Sequence, residues 1–158
     1  MIINLMVNGE RVTYKIKPHQ TLLRALRENG AKDVKCGCEE GDCGTCTVLL
    51  DGVSVKSCIM LAAACDGHEI WTNRGLGYHD RIASRLQKAF VECGAIQCGF
   101  CTPGMIVVGV EYLKNGGKAD MAEIQKAISG NLCRCTGYIK IVDAICMVAN
   151  EIAGGMLE

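Results

Sequence analysis

Twelve of the 158 residues are cysteine, and eight of these stand in two groups of four. The first group reads Cys38-x4-Cys43-x2-Cys46, with Cys58 after a longer gap; the second reads Cys98-x2-Cys101 and Cys133-x-Cys135. Each group joins positions distant in sequence, so the fold must bring its members to one place. The N-terminus carries no charged leader, long apolar run and small-residue cleavage site. The longest apolar run, Ile59 to Cys65, is too short to span a bilayer. These features predict a cytoplasmic protein with no membrane association. In that compartment thiols stay reduced, and twelve of them argue for metal ligation over disulfides.

The x4-x2 spacing with a distant fourth cysteine is that of plant-type [2Fe–2S] ferredoxins. Gly37, Gly41 and Gly44 interleave with it. Glycine enters left-handed backbone freely, so such a loop can wrap a cluster and aim amide N–H groups at its sulfurs. Zinc prefers C-x2-C pairs in both halves of a site, and Cys38-x4-Cys43 fits it poorly. Spacing decides less about the second group. Its C-x2-C pair suits zinc as well as iron–sulfur, while C-x-C is unusual for zinc. Both pairs precede predicted helices, whose N-termini would face an anionic centre. Of the four remaining thiols, Cys65, Cys93 and Cys146 read as core-filling residues. Cys36 lies two residues from Cys38 and could compete as a ligand, although the spacing selects Cys38.

Around these thiols the chain changes period once. Ile3, Leu5 and Val7 alternate with Asn4 and Met6, Asn8-Gly9 supplies a type I′ turn, and Val12, Tyr14 and Ile16 alternate again. That predicts a β-hairpin. Thr21 caps a short helix, Leu22 to Glu28, which Gly30 ends. Thr47 to Leu50 and Val53 to Lys56 flank Asp51-Gly52 as a second hairpin, and a last strand is expected near Glu69 to Thr72. Asn73 to Tyr78 has two glycines and no periodicity, so it reads as a linker.

After it the period is helical. Ile82, Leu86, Ala89, Phe90 and Cys93 share one face. Thr102-Pro103 starts a second helix whose Met105 to Leu113 is apolar nearly all round. Asp120 with Glu123 resembles a capping box for a third, and Thr136 opens a fourth carrying Ile141, Ala144, Ile145, Val148 and Ile152. The expected architecture is α+β: a small sheet crossed by one helix over residues 1–76, then a four-helix bundle over residues 77–158.

Net charge is zero and only seven residues are Phe, Trp or Tyr, so nothing supports nucleic-acid binding. No nucleophile elbow, P-loop or dinucleotide fingerprint is present, and no catalytic residue is assigned. His19, His68 and His79 read as surface residues, and Arg134 as the partner of a nearby acid.

The stretch from Val34 to Val48, with its Cys36-Gly37-Cys38 and Cys43-Gly44-Thr45-Cys46, resembles the N-terminal cluster loop of the xanthine dehydrogenase/aldehyde oxidase family, the molybdenum hydroxylases. Gln97-Cys98-Gly99-Phe100-Cys101-Thr102-Pro103-Gly104 and Gly130-Asn131-Leu132-Cys133-Arg134-Cys135-Thr136-Gly137-Tyr138 resemble its second-cluster motifs. The resemblance runs in order over nearly the whole chain. Against the family pattern, Cys36 stands where other residue types are usual, Thr45 replaces a common alanine, and Arg74 changes the charge of the segment after Thr72.

The resemblance implies the small iron–sulfur subunit of a multi-subunit enzyme, with a plant-ferredoxin-like β-grasp half and a four-helix cluster half. It implies two [2Fe–2S] clusters, one on Cys38, Cys43, Cys46 and Cys58 and one nearer the molybdenum on Cys98, Cys101, Cys133 and Cys135. Gln97 matches a glutamine that hydrogen-bonds the molybdopterin, and Cys135 a ligand whose surroundings touch that pterin. The molybdopterin-type cofactor and FAD would sit on partners, a large and a medium subunit, in a hetero-oligomer such as a dimer of heterotrimers. The catalytic acid would also lie on the large subunit. Electrons from hydroxylation of a purine such as xanthine, or of another N-heterocycle, would pass through both clusters towards the flavin. Other readings stay open at this point: a free two-cluster ferredoxin-like carrier, a relative acting on aldehydes, carbon monoxide or an aromatic acyl-CoA, and a structural zinc protein.

Overall fold

The computed structural model describes residues 1–157. The first hairpin forms as its alternation requires. β1 (Ile2–Val7) and β2 (Glu10–Lys15) pair antiparallel from Ile2↔Lys15 to Val7↔Glu10, and the turn residues Asn8 and Gly9 are both left-handed. Ile3, Leu5 and Val7 point inward, onto the buried Leu22, Leu23, Ala25 and Leu26 of α1 (Leu22–Glu28). Thr21 caps that helix through its side chain, accepting from the Arg24 amide. β3 (Thr47–Leu50) and β4 (Val53–Lys56) form the second hairpin about left-handed Asp51 and Gly52. β5 (Glu69–Trp71) then enters the middle of the sheet, parallel to β1 and antiparallel to β3. The order is β2-β1-β5-β3-β4. The helix held across one face makes this the expected β-grasp arrangement.

The helical half begins earlier than its periodicity suggests. The segment Asn73 to Tyr78, expected as a linker, falls within α2 (Asn73–His79), whose Leu76 is buried in the helical core. α3 (Arg81–Glu92), α4 (Thr102–Lys114), α5 (Met121–Ile128) and α6 (Ile139–Ala153) follow. Phe90, Met105, Ile124, Ile141 and Ile145 are fully buried between them. Asp80 and Asp120 cap α3 and α5 through their side chains, and Pro103 stands in the first turn of α4. The last helix starts at Ile139 rather than at Thr136, because Gly137 and Tyr138 are both left-handed and no helix can run through them.

The halves share a seam. Leu49 of β3 is buried in the helical core, and Glu111 of α4 accepts the Ser54 amide of edge strand β4 at 3.0 Å. The two cysteine loops meet there as well, where the Leu132 amide donates to the Cys43 carbonyl at 2.9 Å. Among the described residues no helix is long and apolar enough to cross a membrane.

Candidate iron–sulfur centres

The first thiol group lies in the loop between α1 and β3 and at the end of β4. It divides into two facing pairs. The Cys38 amide approaches Cys43 Sγ and the Cys43 amide approaches Cys38 Sγ, each at 3.4 Å. Cys46 and Cys58 form the second pair, within hydrogen-bonding reach of one another. Cys46 and Cys58 are buried and Cys38 and Cys43 half-buried, so the group has a core side and a solvent side. The loop wraps by means of left-handed Glu39, Gly41 and Gly44. Gly37 is needed for a different reason: a Cβ there would stand 2.7 Å from Cys43 Sγ.

The second group divides in the same way. Cys98 and Cys135 face each other with sulfurs 3.5 Å apart, and Cys101 is within hydrogen-bonding reach of Cys133. Cys101 is buried at the N-terminus of α4; Cys98 and Cys135 are exposed, as is Gln97. Among the described residues no three His, Cys, Asp or Glu side chains close on a single point, as a mononuclear ion would need. Two pairs of sulfurs side by side suit two metal ions, each taking two thiolates, and four cysteines are what a [2Fe–2S] cluster takes. The donor chemistry and the room left by Gly37 fit such a group.

Backbone amide donors and burial act oppositely on these thiols. Backbone N–H groups of Cys43 and Glu40, with the Cys43 thiol, hold Cys38 down at about 6. Burial, with the Cys46 thiol second, pushes Cys58 up to about 12. Burial followed by the Cys133 thiol does the same to Cys101, also to about 12. Cys133 is the exception: burial raises it, yet the Thr136 hydroxyl and amide and the Cys135 amide together bring it below the usual thiol value. Cys135 is raised, chiefly by its hydrogen bond with Cys98. A metal that binds thiolates must displace the protons that burial holds on Cys58 and Cys101.

All eight thiols of the sequence pattern are thus brought together, four and four. Of the others, Cys65 is fully buried, and Cys36, Cys93 and Cys146 are half-buried against the two cores. Arg134 is exposed. His68 is paired with Asp51 at 2.5 Å and His79 packs beside Trp71. The pattern of cysteines did not single out Tyr138, whose hydroxyl accepts the Cys133 amide at 2.9 Å, or Asn131, buried in the seam against Gly44. Tyr138 has a signal after the fact, since Thr-Gly-Tyr follows the last cysteine and only a turn there returns the ring to Cys133.

Comparison with known proteins agrees with this geometry. Residues 5–70 match the family described as 2Fe-2S iron-sulfur cluster binding domain, and residues 72–146 match the [2Fe-2S] binding domain. The nicotinate dehydrogenase small FeS subunit of Eubacterium barkeri is 48% identical, over 90% of this chain and 91% of that protein. The xanthine dehydrogenase iron-sulfur-binding subunit of Escherichia coli O157:H7 is 41% identical, over 90% and 91%. A chain of the crystal structure of quinoline 2-oxidoreductase from Pseudomonas putida 86 superposes with a TM-score of 0.88 at 40% identity, covering 98% of this chain and 97% of that one. With two facing thiol pairs in each half and relatives this similar over nearly their whole length, the chain belongs to the small [2Fe–2S] subunits of the xanthine dehydrogenase/aldehyde oxidase family, the molybdenum hydroxylases.

Proposed function

We propose that this chain carries electrons through two [2Fe–2S] clusters, one held by Cys38, Cys43, Cys46 and Cys58 and the other by Cys98, Cys101, Cys133 and Cys135, as the small subunit of a molybdenum hydroxylase. The observation that carries the reading is the division of each thiol group into two facing pairs. When bound, each cluster supplies a one-electron site. The chain's own part is to present the thiolates, direct amide and hydroxyl donors at their sulfurs, and hold the two loops together through the Leu132–Cys43 bond.

Substrate chemistry belongs, in this reading, to a large subunit with a molybdopterin-type cofactor, and electrons leave towards FAD on a medium subunit. Gln97 and Cys135 are the residues proposed to meet the pterin; both are exposed beside Cys98, which leaves that face free for a partner. The chain would work as two units, a sheet half and a helical half. The boundary expected at 76/77 runs through α2; family matches that end at residue 70 and resume at 72, with Leu76 in the helical core, favour one near residue 71. Its compartment would be the cytoplasm. The relatives named above are enzymes of nicotinate, xanthine and quinoline, so the proposed substrate of the complex is an N-heterocycle, purines included.

Purification of the tagged chain from its native host, with metal analysis and gel electrophoresis, tests the subunit reading. Molybdenum and co-eluting large subunits, with about four irons per small chain, are expected from two two-iron centres. An iron-containing chain that elutes alone would overturn it in favour of a free carrier.

A further inference from the structure

Each thiol group carries one threonine hydroxyl on one of its sulfurs. Thr45 Oγ1 lies 3.3 Å from Cys43 Sγ, and Thr136 Oγ1 lies 3.0 Å from Cys133 Sγ. A hydroxyl can donate or accept. A thiolate bound to metal has no proton to give, which leaves the hydroxyl as donor in both contacts.

At Thr136 a second contact fixes the same direction. The Tyr138 amide donates to Thr136 Oγ1 at 3.2 Å, occupying its acceptor side and turning the O–H towards Cys133 Sγ. The Thr136 amide points at that sulfur too, from 3.4 Å. Tyr138 reaches this position through left-handed backbone, φ 68°, uncommon for a bulky side chain. Its phenol closes the network on the Cys133 amide.

Thr45 is buried, 5% exposed, and a buried hydroxyl needs a partner. Cys43 Sγ is the one it has among the described residues. Glycine at position 37 makes the room, since a Cβ there would stand 2.8 Å from the Thr45 hydroxyl.

We propose that Thr45 and Thr136 set the reduction potentials of the two centres, each through the sulfur it touches and each independently of the other. The inference rests on the reading that both thiol groups hold [2Fe–2S] clusters. On reduction a cluster gains one electron and one negative charge, while no covalent bond forms or breaks and no proton moves. A hydroxyl aimed at a ligand sulfur interacts more strongly with the more negative state, so it favours reduction and raises the potential. Both threonines are positioning residues that act through a ligand.

The test is a potentiometric titration of the assembled complex, followed by electron paramagnetic resonance so that the two centres are read separately. Thr45→Val is expected to shift the reduction equilibrium of one signal about tenfold towards the oxidised form, a fall of about 59 mV for a one-electron couple. Thr136→Val is expected to shift the other signal by a similar factor, and Thr→Ser at either position to restore the wild-type value. Unmoved potentials, or both signals moving together in each single variant, would overturn the inference. Thr→Ala at each position removes the same hydroxyl without an added methyl and is held to the same criterion. Should neither Val nor Ala assemble while Ser does, the hydroxyls serve assembly rather than potential, and the inference is again overturned. Failure of the underlying reading looks different: the wild-type complex itself would lack two such signals.

Discussion

Gly37 faces solvent and yet has no room for a side chain. Its missing Cβ would meet Cys43 Sγ at 2.7 Å and the Thr45 hydroxyl at 2.8 Å, well inside contact distance for either. Gly37→Ala should therefore displace Cys43 and empty the first centre while sparing the second. Iron analysis is expected to fall from about four to about two per chain, with one resonance signal lost; full iron content would contradict the steric account. The thiols themselves differ by their surroundings. In the cluster-free chain Cys38 is held at about 6 by amide donors, whereas burial keeps Cys58 and Cys101 at about 12. Only the thiolate alkylates readily, so at neutral pH Cys38 should be labelled first and Cys58 and Cys101 last. Because the anion of Cys38 is lost as pH falls through about 6, its labelling should slow below that value. Peptide mapping after brief alkylation at several pH values checks both statements, and equal labelling of the three would contradict them.

The elements follow from local chemistry where that chemistry is strong. Asn8-Gly9 and Asp51-Gly52 set both hairpins, and Asp80, Pro103 and Asp120 mark three helix starts. Phe90 of α3 is fully buried, and Phe90→Ala should cost about 3–5 kcal/mol, read by denaturant unfolding; a loss under about 1 kcal/mol would mean that the helical core is not packed as described. Two elements were not legible. α2 contains Gly75 and Gly77, poor helix formers, and its sequence has no apolar period. Its glycines are there for close approach: a Cβ on Gly75 would meet the Asn8 side chain and one on Gly77 the Gln87 amide, which in turn donates to the Asn73 carbonyl at 2.9 Å. Contacts to Asn8 and to Gln87 decide that segment, and its own apolar pattern does not contain them. The late start of α6 has a local origin instead, since Thr136 and Tyr138 bond to the nearby Cys133 rather than opening the helix.

At the scale of the molecule, two thiol groups from opposite ends of the chain are brought side by side. The spacing of the loop from Cys38 to Cys46 already identified iron–sulfur chemistry, and the long motifs identified the family. What spacing could not give was the pairing: Cys38 with Cys43, Cys46 with Cys58, Cys98 with Cys135 and Cys101 with Cys133. Nor could it show that the loops touch, through the Leu132 amide and the Cys43 carbonyl, and through Gly104, whose missing Cβ would lie 2.5 Å from the Gly44 carbonyl. The contact arises from the packing of α4 and the Asn131 turn against the sheet, whereas the Cys38–Cys43 pair is closed by amides of its own loop. The measurement that tests the central claim most directly is iron and acid-labile sulfide analysis of the purified protein, combined with electron paramagnetic resonance after reduction. Two two-iron centres predict about four irons and about four sulfides per chain, and two distinct signals of about one spin each. Zinc in place of iron with no sulfide, or a single signal from a chain with all eight thiols intact, would contradict it.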